Sequence, residues 1–288
     1  MKIFNAIPSV VLIALLSAGS ALAQQNASLK ENAALRYWSA FSEVQDSGIT
    51  DQQAKELNAI LDGTAPYDDS KYKELLEKNK LAIEIMARAT SLPNCDWGLD
   101  YGLRDDIPVD YARKALALGR LNVLYAFHLF IEGNKDGGVR ALTAGLRFSH
   151  DIANGGSLFA TVIAKDLLVS HLIAVSDALH FEQLSAMQRT RLLQAVTGLG
   201  SHGVDWQSAI KQEMGVLNRP PWQESVSLVS VTQAYLASVK DPSQLPKFEQ
   251  LLATVPQPLR DVIPNPKEVL KQKQELDQKL MQTRSLLQ

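Results

Sequence analysis

The sequence has a single cysteine in 288 residues, Cys95, so the chain can form no disulfide bond within itself. A chain of this length does not need one, because 46% of its residues are apolar and can supply a sizeable core. We therefore expect the lone thiol to be buried and inert. The alternative is a free thiol that pairs with a second chain in an oxidising compartment.

The chain also lacks a strong excess of charge of either sign. It has 29 Lys and Arg against 31 Asp and Glu, a formal net charge of −2. This balance gives no general attraction to nucleic acid or to anionic lipid. We therefore expect no nucleic-acid partner.

Intact catalytic and metal-binding motifs are lacking as well. The histidines form neither H-E-x-x-H nor a pair four residues apart, so their spacing predicts no helical zinc site. Ser201 is not in the G-x-S-x-G pattern of a nucleophile elbow. Residues 198–203 match G-x-G-x-x-G, but a helical pattern precedes them where a dinucleotide site needs a strand, so they indicate a helix end. We predict no catalytic residues, no metal ligands and no cofactor.

The first 23 residues have the pattern of a secretory signal peptide. Lys2 provides a positive start, residues 10–16 form an apolar run, and residues 21–23 read Ala-Leu-Ala. The run is shorter than the roughly 20 residues that span a bilayer, which disfavours the alternative of an uncleaved anchor helix. The sequence predicts cleavage after Ala23 and a periplasmic or secreted protein.

Apolar residues recur at helical spacing through the rest of the chain, and alternation typical of strands is almost absent. The pattern predicts an all-α fold of about ten antiparallel helices, a helical bundle or an α-solenoid-like array without β-sheet. A helix from Ser157 to about His180 is apolar on nearly every face, which is typical of a central helix. Lys165 and Asp166 interrupt it, so we expect no transmembrane span in the mature chain.

Breaks in this helical pattern divide the chain into three predicted segments. Residues 1–23 are the signal peptide, residues 24–204 the main helical domain, and residues 205–288 a C-terminal helical extension packed on that domain. Within the main domain, residues 133–137 are expected to be a turn, with a helix starting at Val139.

The helical period breaks between residues 92 and 108, where carboxylates alternate with aromatic rings. Such a loop can bind a sugar or a cation by stacking and hydrogen bonding, and long structured loops often hold function. The candidate ligand-binding residues are Asp96, Trp97, Asp100, Tyr101, Arg104 and Asp106. The alternative is structural: Trp97 and Leu99 pack into the core while the aspartates cap neighbouring helices.

Residues 122–150 resemble one helical hairpin of the tetratricopeptide repeat. Ala126, Gly138 and Gly145 are the small residues that such a hairpin places where its helices cross, although His150 stands where the repeat usually has Pro. More broadly, residues 32–38 (N-A-A-L-R-Y-W), residues 94–98 (N-C-D-W-G) and the hairpin of residues 133–152 are similar to a group of uncharacterised exported bacterial helical proteins. That resemblance implies export and an all-α fold over about residues 30–215, and no activity.

These observations favour a non-enzymatic interaction or scaffold protein of the cell envelope, since stacked helical hairpins expose grooves that bind proteins. The expected partner is another envelope or secreted protein. Two alternatives remain open. One is a cell-wall or other extracytoplasmic hydrolase whose site forms only in three dimensions, and the other is a small-molecule or metal-binding protein.

Overall fold

The structure is a computed structural model that describes residues 31–45, 51–99, 110–217 and 228–288. Over these residues it contains twelve α-helices and one 3-10 helix, Pro242–Gln244, and no β-strand. The predicted all-α fold is therefore confirmed for this part of the chain. The predicted signal peptide lies outside the described residues.

Side-chain caps mark the starts of several helices. The helices are α1 (Ala33–Glu43), α2 (Asp51–Leu61), α3 (Asp69–Ala89), α4 (Asp110–Ile131), α5 (Lys135–Ala153), α6 (Leu158–Phe181), α7 (Ala186–Gly198), α8 (Trp206–Leu217), α9 (Val229–Lys240), α10 (Leu245–Ala253), α11 (Gln257–Arg260) and α12 (Pro266–Leu287). The side chains of Asn32, Asp68, Ser157 and Ser185 accept hydrogen bonds from backbone N–H groups in the first turns of α1, α3, α6 and α7.

The start of α5 corrects one sequence prediction. The turn before this helix is shorter than expected, because the side chain of Asn134 accepts a hydrogen bond from the Gly137 N–H at 2.9 Å and caps a helix that begins at Lys135. The predicted start at Val139 is therefore wrong by one turn. Gly133, at φ 76°, makes the reversal after α4 in a conformation that favours glycine.

Helices α4, α5 and α6 form the centre of the fold, and each packs against the other two. Leu168, Leu172 and Val175 on α6 have no solvent-exposed surface. Helix α6 also contacts α8 and α12, so its apolar surface is covered on several sides. This explains why its sequence is apolar around almost the whole helix.

The last helix, α12, lies against α6 and α7. Its Leu276 and Leu280 are fully buried, and Lys165 of α6 forms an ion pair with Glu275, with 2.5 Å between Nζ and Oε2. Lys165 is only 3% exposed, so the charge that interrupts the apolar run of α6 is neutralised by the docked helix.

Two helices of the described residues, α4 and α6, are long and apolar enough to cross a membrane by length and composition alone. The most apolar window of each is mostly buried in the structure, 56% for α4 and 67% for α6. Core helices of folded domains share these properties. The expected absence of a transmembrane span therefore stays a prediction.

Candidate functional site

The loop that follows α3 contains the residues singled out from the sequence. Asp96 and Trp97 are described by the structure, whereas Asp100, Tyr101, Arg104 and Asp106 lie outside the described residues. The candidate site is therefore visible at its first two positions only.

Trp97 is a core residue. Its side chain is 6% exposed, and its ring stacks on Phe41 with 6.1 Å between centroids and 6° between planes. The indole Nε1 donates a hydrogen bond of 2.9 Å to the backbone oxygen of Asp151 on α5. Trp97 thus fixes the loop to the core, as the structural alternative predicted for this residue, and its ring is not available to stack on a ligand.

Asp96 is exposed, but its polar groups have local partners. Its backbone N–H donates to Asn32 Oδ1 at 2.9 Å, and its backbone oxygen accepts from Asn32 Nδ2 at 2.7 Å. The Asp96 carboxylate accepts a hydrogen bond of 2.9 Å from the Gly98 N–H. These contacts join the loop to the start of α1 and give the carboxylate a structural role within the loop.

Beside Trp97 lies a group of polar residues that we call the Asp151 cluster. It consists of the buried Tyr37 and Asp151, the half-buried Cys95 and the partly exposed Arg147. Asp151 has no exposed surface, and its Oδ2 accepts a hydrogen bond of 2.7 Å from the Tyr37 hydroxyl. Arg147 Nε lies 3.0 Å from Oδ1, but its N–H is not aimed at that oxygen, so the pair is an ion pair without a well-aligned hydrogen bond.

Burial raises the pKa values of the acidic groups in the Asp151 cluster. Burial raises the pKa of Asp151, and the hydrogen bond from Tyr37 and the charge of Arg147 do not fully offset it. Burial and the neighbouring Asp151 also raise the pKa values of Tyr37 and of the Cys95 thiol. Cys95 therefore stays a thiol at neutral pH and is a poor nucleophile.

A second buried group, the His171 cluster, joins the three central helices. It consists of Asn122 on α4, Gly145 and Ser149 on α5, and His171 on α6. The His171 ring is fully buried, with Nδ1 2.7 Å from the backbone oxygen of Leu167 and Nε2 3.1 Å from Asn122 Nδ2. Gly145 makes room for the ring, since a Cβ there would lie 2.0 Å from His171 Nε2.

These contacts assign the proton of His171. The Leu167 oxygen is an acceptor only, so Nδ1 carries the hydrogen and Nε2 accepts from the Asn122 amide. Burial lowers the pKa of His171 to about 4, which keeps the ring neutral. The Ser149 hydroxyl donates to the backbone oxygen of Gly145 at 2.7 Å. The nearby Nδ1 is protonated and cannot take the proton of Ser149, so the pair does not form an activated nucleophile.

His128 of α4 belongs to a third polar contact, between α4 and the start of α3. Its Nδ1 lies 2.7 Å from Asp69 Oδ1, which also accepts from the Tyr67 hydroxyl at 2.9 Å. Burial opposes ionisation of Asp69, but the hydrogen bonds from His128 and Tyr67 outweigh it and lower the pKa of Asp69.

Among the described residues, no three His, Cys, Asp or Glu side chains are arranged to hold a metal ion.

An open apolar cleft lies next to Tyr67, where three separate segments meet. We call it the Phe181 cleft. It has a volume of about 320 Å³ and lies between the α2–α3 connection and the C-terminal ends of α4 and α6. The residues that define it are Ile60, Tyr67, Phe127, Ile131, Asp177 and Phe181.

The rim of the Phe181 cleft exposes large apolar side chains. Phe181 is 82% exposed and Ile131 is 59% exposed. Two carboxylates share this rim. Glu182 forms an ion pair with Lys135 at 3.5 Å, whereas Asp177 has no cationic group of the described residues within 4.0 Å. Burial raises the pKa of Asp177, and this effect is larger than the opposite effect of His180 and Lys279, which lower the pKa. The cleft therefore presents apolar surface beside a carboxylate that lacks a direct partner.

Sequence reasoning did not find the Phe181 cleft. Its lining residues come from three segments that are about 60 and 50 residues apart along the chain, and no sequence motif singles them out as a binding site. The only local signal is Phe181 itself, an aromatic residue at the last position of an apolar helix.

Comparison of the chain with protein-family models, with curated proteins and with solved structures finds no match. The resemblances to a tetratricopeptide hairpin and to exported helical proteins therefore stay predictions. An assignment of function has to rest on the chemistry of the clefts and polar clusters described above.

Proposed function

We propose that this protein is an exported helical interaction protein of the cell envelope that binds a segment of a partner protein in the Phe181 cleft. The observation on which the proposal depends is the 82% exposure of Phe181 beside an open apolar cleft. A large aromatic side chain in water costs free energy that a partner would recover by covering it. Aromatic residues at a cleft are also the residues that most often dominate binding energy.

The buried polar clusters support binding over catalysis. Asp151, Tyr37 and His171 are all inaccessible to solvent, and their hydrogen bonds are made within the fold. A hydrolytic site needs an acid, base or nucleophile that reaches its substrate. None of these three groups lines the Phe181 cleft.

The two carboxylates on the rim indicate what kind of partner segment the cleft would bind. Asp177 lacks a direct cationic partner among the described residues, and Glu182 shares one lysine. A segment with apolar side chains next to a lysine or arginine would place a cation against Asp177 while its apolar side chains fill the cleft. We therefore propose an apolar and basic peptide segment as the occupant.

Two labelled model peptides test this proposal on the purified full-length protein. They share leucine and phenylalanine positions and differ only in having lysine or glutamate between them. Fluorescence anisotropy should show binding of the lysine peptide at least about tenfold tighter than that of the glutamate peptide. Phe181→Ser should weaken binding about tenfold, and Asp177→Asn should reduce the preference for lysine.

Met281→Ser is the matched control, because Met281 is 65% exposed on α12 and does not line the cleft. Equal losses for Phe181→Ser and Met281→Ser, or no binding of the lysine peptide, would reject the proposal. In cells, a photo-crosslinker at position 181 should capture a partner that one at position 281 does not. The captured segment should be apolar and basic.

The proposed export is tested separately from the binding. Intact-mass measurement of the protein recovered from the cell envelope should show loss of residues 1–23 and a chain that begins at Gln24. A full-length chain in the cytoplasm would contradict export and leave the peptide-binding result to stand on its own.

A further inference from the structure

We propose that a second cleft, between α3, α4, α5 and α7, binds a small molecule that carries carboxylate or phosphate groups. This arginine cleft is lined by Arg88 on α3, Tyr125 and Asn122 on α4, Arg140 on α5, and Arg191 on α7. Its volume is about 410 Å³, within the range of small-molecule sites. All of its lining residues are described by the structure.

The arginines of this cleft form no direct ion pair with the described residues. Within 4.0 Å of the Arg88, Arg140 and Arg191 side chains, the described residues offer no carboxylate. Arg88 only donates from Nε to the backbone oxygen of Glu84, at 3.3 Å. Three like charges around one cleft repel each other, and a bound anion would reverse that repulsion. The net charge of the whole chain is −2, so a general excess of cations does not explain the cluster.

The type of cation indicates the type of ligand. A guanidinium presents several N–H donors in a plane and matches the two oxygens of a carboxylate or phosphate. The three arginines come from three different helices, so packing of the bundle sets where they converge. Oxyanion-bearing molecules are therefore the ligands that this cleft fits best.

One uncharged group adds hydrogen-bonding capacity. The Tyr125 hydroxyl has no hydrogen-bond partner among the described residues, and burial raises its pKa, so it remains a donor. Asn122 lies beneath the cleft with no exposed surface, and its Nδ2 donates to the Ala141 oxygen and to His171. Tyr125 is therefore the neutral side chain that would donate a hydrogen bond to an oxyanion in this cleft.

The only carboxylate that lines the arginine cleft is Glu84, which is exposed. It competes with an incoming anion for the arginines. Removing its charge should therefore strengthen binding, whereas removing an arginine should weaken it. Opposite effects from two substitutions in one cleft are a signature that general destabilisation does not produce.

Isothermal titration calorimetry at low ionic strength tests the proposal, with citrate and pyrophosphate as probes and glycerol as the neutral control. We expect one of the two anions to bind with a Kd below about 1 mM, and glycerol not to bind. The anion that binds distinguishes a carboxylate ligand from a phosphate ligand. Arg191→Gln and Arg140→Gln should each raise Kd about tenfold, and Glu84→Gln should lower it two- to threefold.

Arg189→Gln is the matched control, because Arg189 is exposed on the same helix as Arg191 and does not line the cleft. It should change Kd less than twofold, and circular dichroism should show that all variants remain folded. The proposal is overturned if neither anion binds below about 10 mM, or if Arg189→Gln weakens binding as much as Arg191→Gln. Phe181→Ser should leave anion binding unchanged, so that this site and the Phe181 cleft are tested independently.

Discussion

The Asp151 cluster and the His171 cluster both lie between helices, but burial shifts the pKa of Asp151 and the pKa of His171 in opposite directions. The Asp151 cluster contains a carboxylate whose pKa is raised by burial, and the partly exposed Arg147 is its nearest cation. The His171 cluster contains a base whose pKa burial lowers to about 4, and its partners Asn122 and Ser149 are uncharged. One cluster therefore favours the protonated form of its acid, and the other favours the unprotonated form of its base.

This difference separates the contributions of the two clusters to stability. The Asp151 cluster connects three parts of the chain that are distant in sequence, namely α1, the loop that follows α3, and α5. The His171 cluster connects α4, α5 and α6, which follow each other directly. Substitutions in the first should loosen the docking of α1 and the loop, whereas substitutions in the second should act on the central three helices.

Asp151→Ala should produce the largest effect. It leaves the Tyr37 hydroxyl buried without an acceptor, removes the partner of Arg147, and creates a small cavity beside Trp97. We expect the free energy of unfolding to fall by about 4 kcal/mol. Urea denaturation followed by tryptophan fluorescence measures this. A loss below about 1 kcal/mol would show that the cluster does not connect α1 to the core.

Lowering the pH should destabilise the folded protein through His171. The unfolded imidazole takes up a proton near its ordinary pKa of 6.5, whereas the folded ring does so only near 4. Its contribution to stability is thus complete above pH 6.5 and is lost as the pH falls towards 4. The expected loss is about 3 kcal/mol between pH 7 and pH 4.

His171→Gln provides the reference for that measurement, because glutamine does not titrate. Subtracting its stability at each pH from that of the natural chain isolates the contribution of His171. The raised pKa of Asp151 acts in the other direction, since its stabilising contribution is present below its ordinary pKa of 3.8 and is lost as the pH rises. A difference curve that is flat from pH 7 to pH 4 would show that His171 is accessible to protons in the folded state.

The sequence predicted the helices better than it predicted these clusters. A capping residue such as Ser157 acts on its own first turn, so the sequence around it was sufficient to predict the start of that helix. The turn predicted for residues 133–137 misplaced the start of α5, because the cap of Asn134 begins the helix at Lys135. Here a turn pattern and a capping pattern overlap in the sequence, and the hydrogen bond from Gly137 to Asn134 shows that the capping pattern determines the structure.

The sites were not predictable for a different reason. Lys165 was interpreted from the sequence only as a charge that disfavours a membrane span, and its partner Glu275 lies 110 residues further along the chain. The Phe181 cleft and the arginine cleft likewise assemble from distant segments, and no sequence motif marks their lining residues as binding residues. For Trp97, the sequence left two interpretations open, and only contact with α1 and α5 shows that this ring belongs to the core.

Gly145→Ala should destabilise the His171 cluster by about 2 kcal/mol, because the added methyl group would overlap the ring that Leu167 and Asn122 hold in place. The matched control is Gly215→Ala on α8, where the new Cβ has no atom within 4 Å. That substitution should be neutral or slightly stabilising, since alanine favours a helix more than glycine does. Thermal unfolding of both variants checks the contrast, and equal melting temperatures would contradict the tight packing of His171.

Asp151→Asn should have the smallest effect and gives the sharpest contrast with the His171 cluster. Asparagine keeps an oxygen that accepts from Tyr37 and removes a carboxylate whose ionisation burial opposes. The lost attraction to Arg147 is modest, because that side chain is 42% exposed and water can solvate its charge. We expect the free energy of unfolding at pH 7 to change by less than about 1 kcal/mol. A loss as large as that of Asp151→Ala would mean that the charge of Asp151, rather than its shape and hydrogen bond, stabilises the cluster.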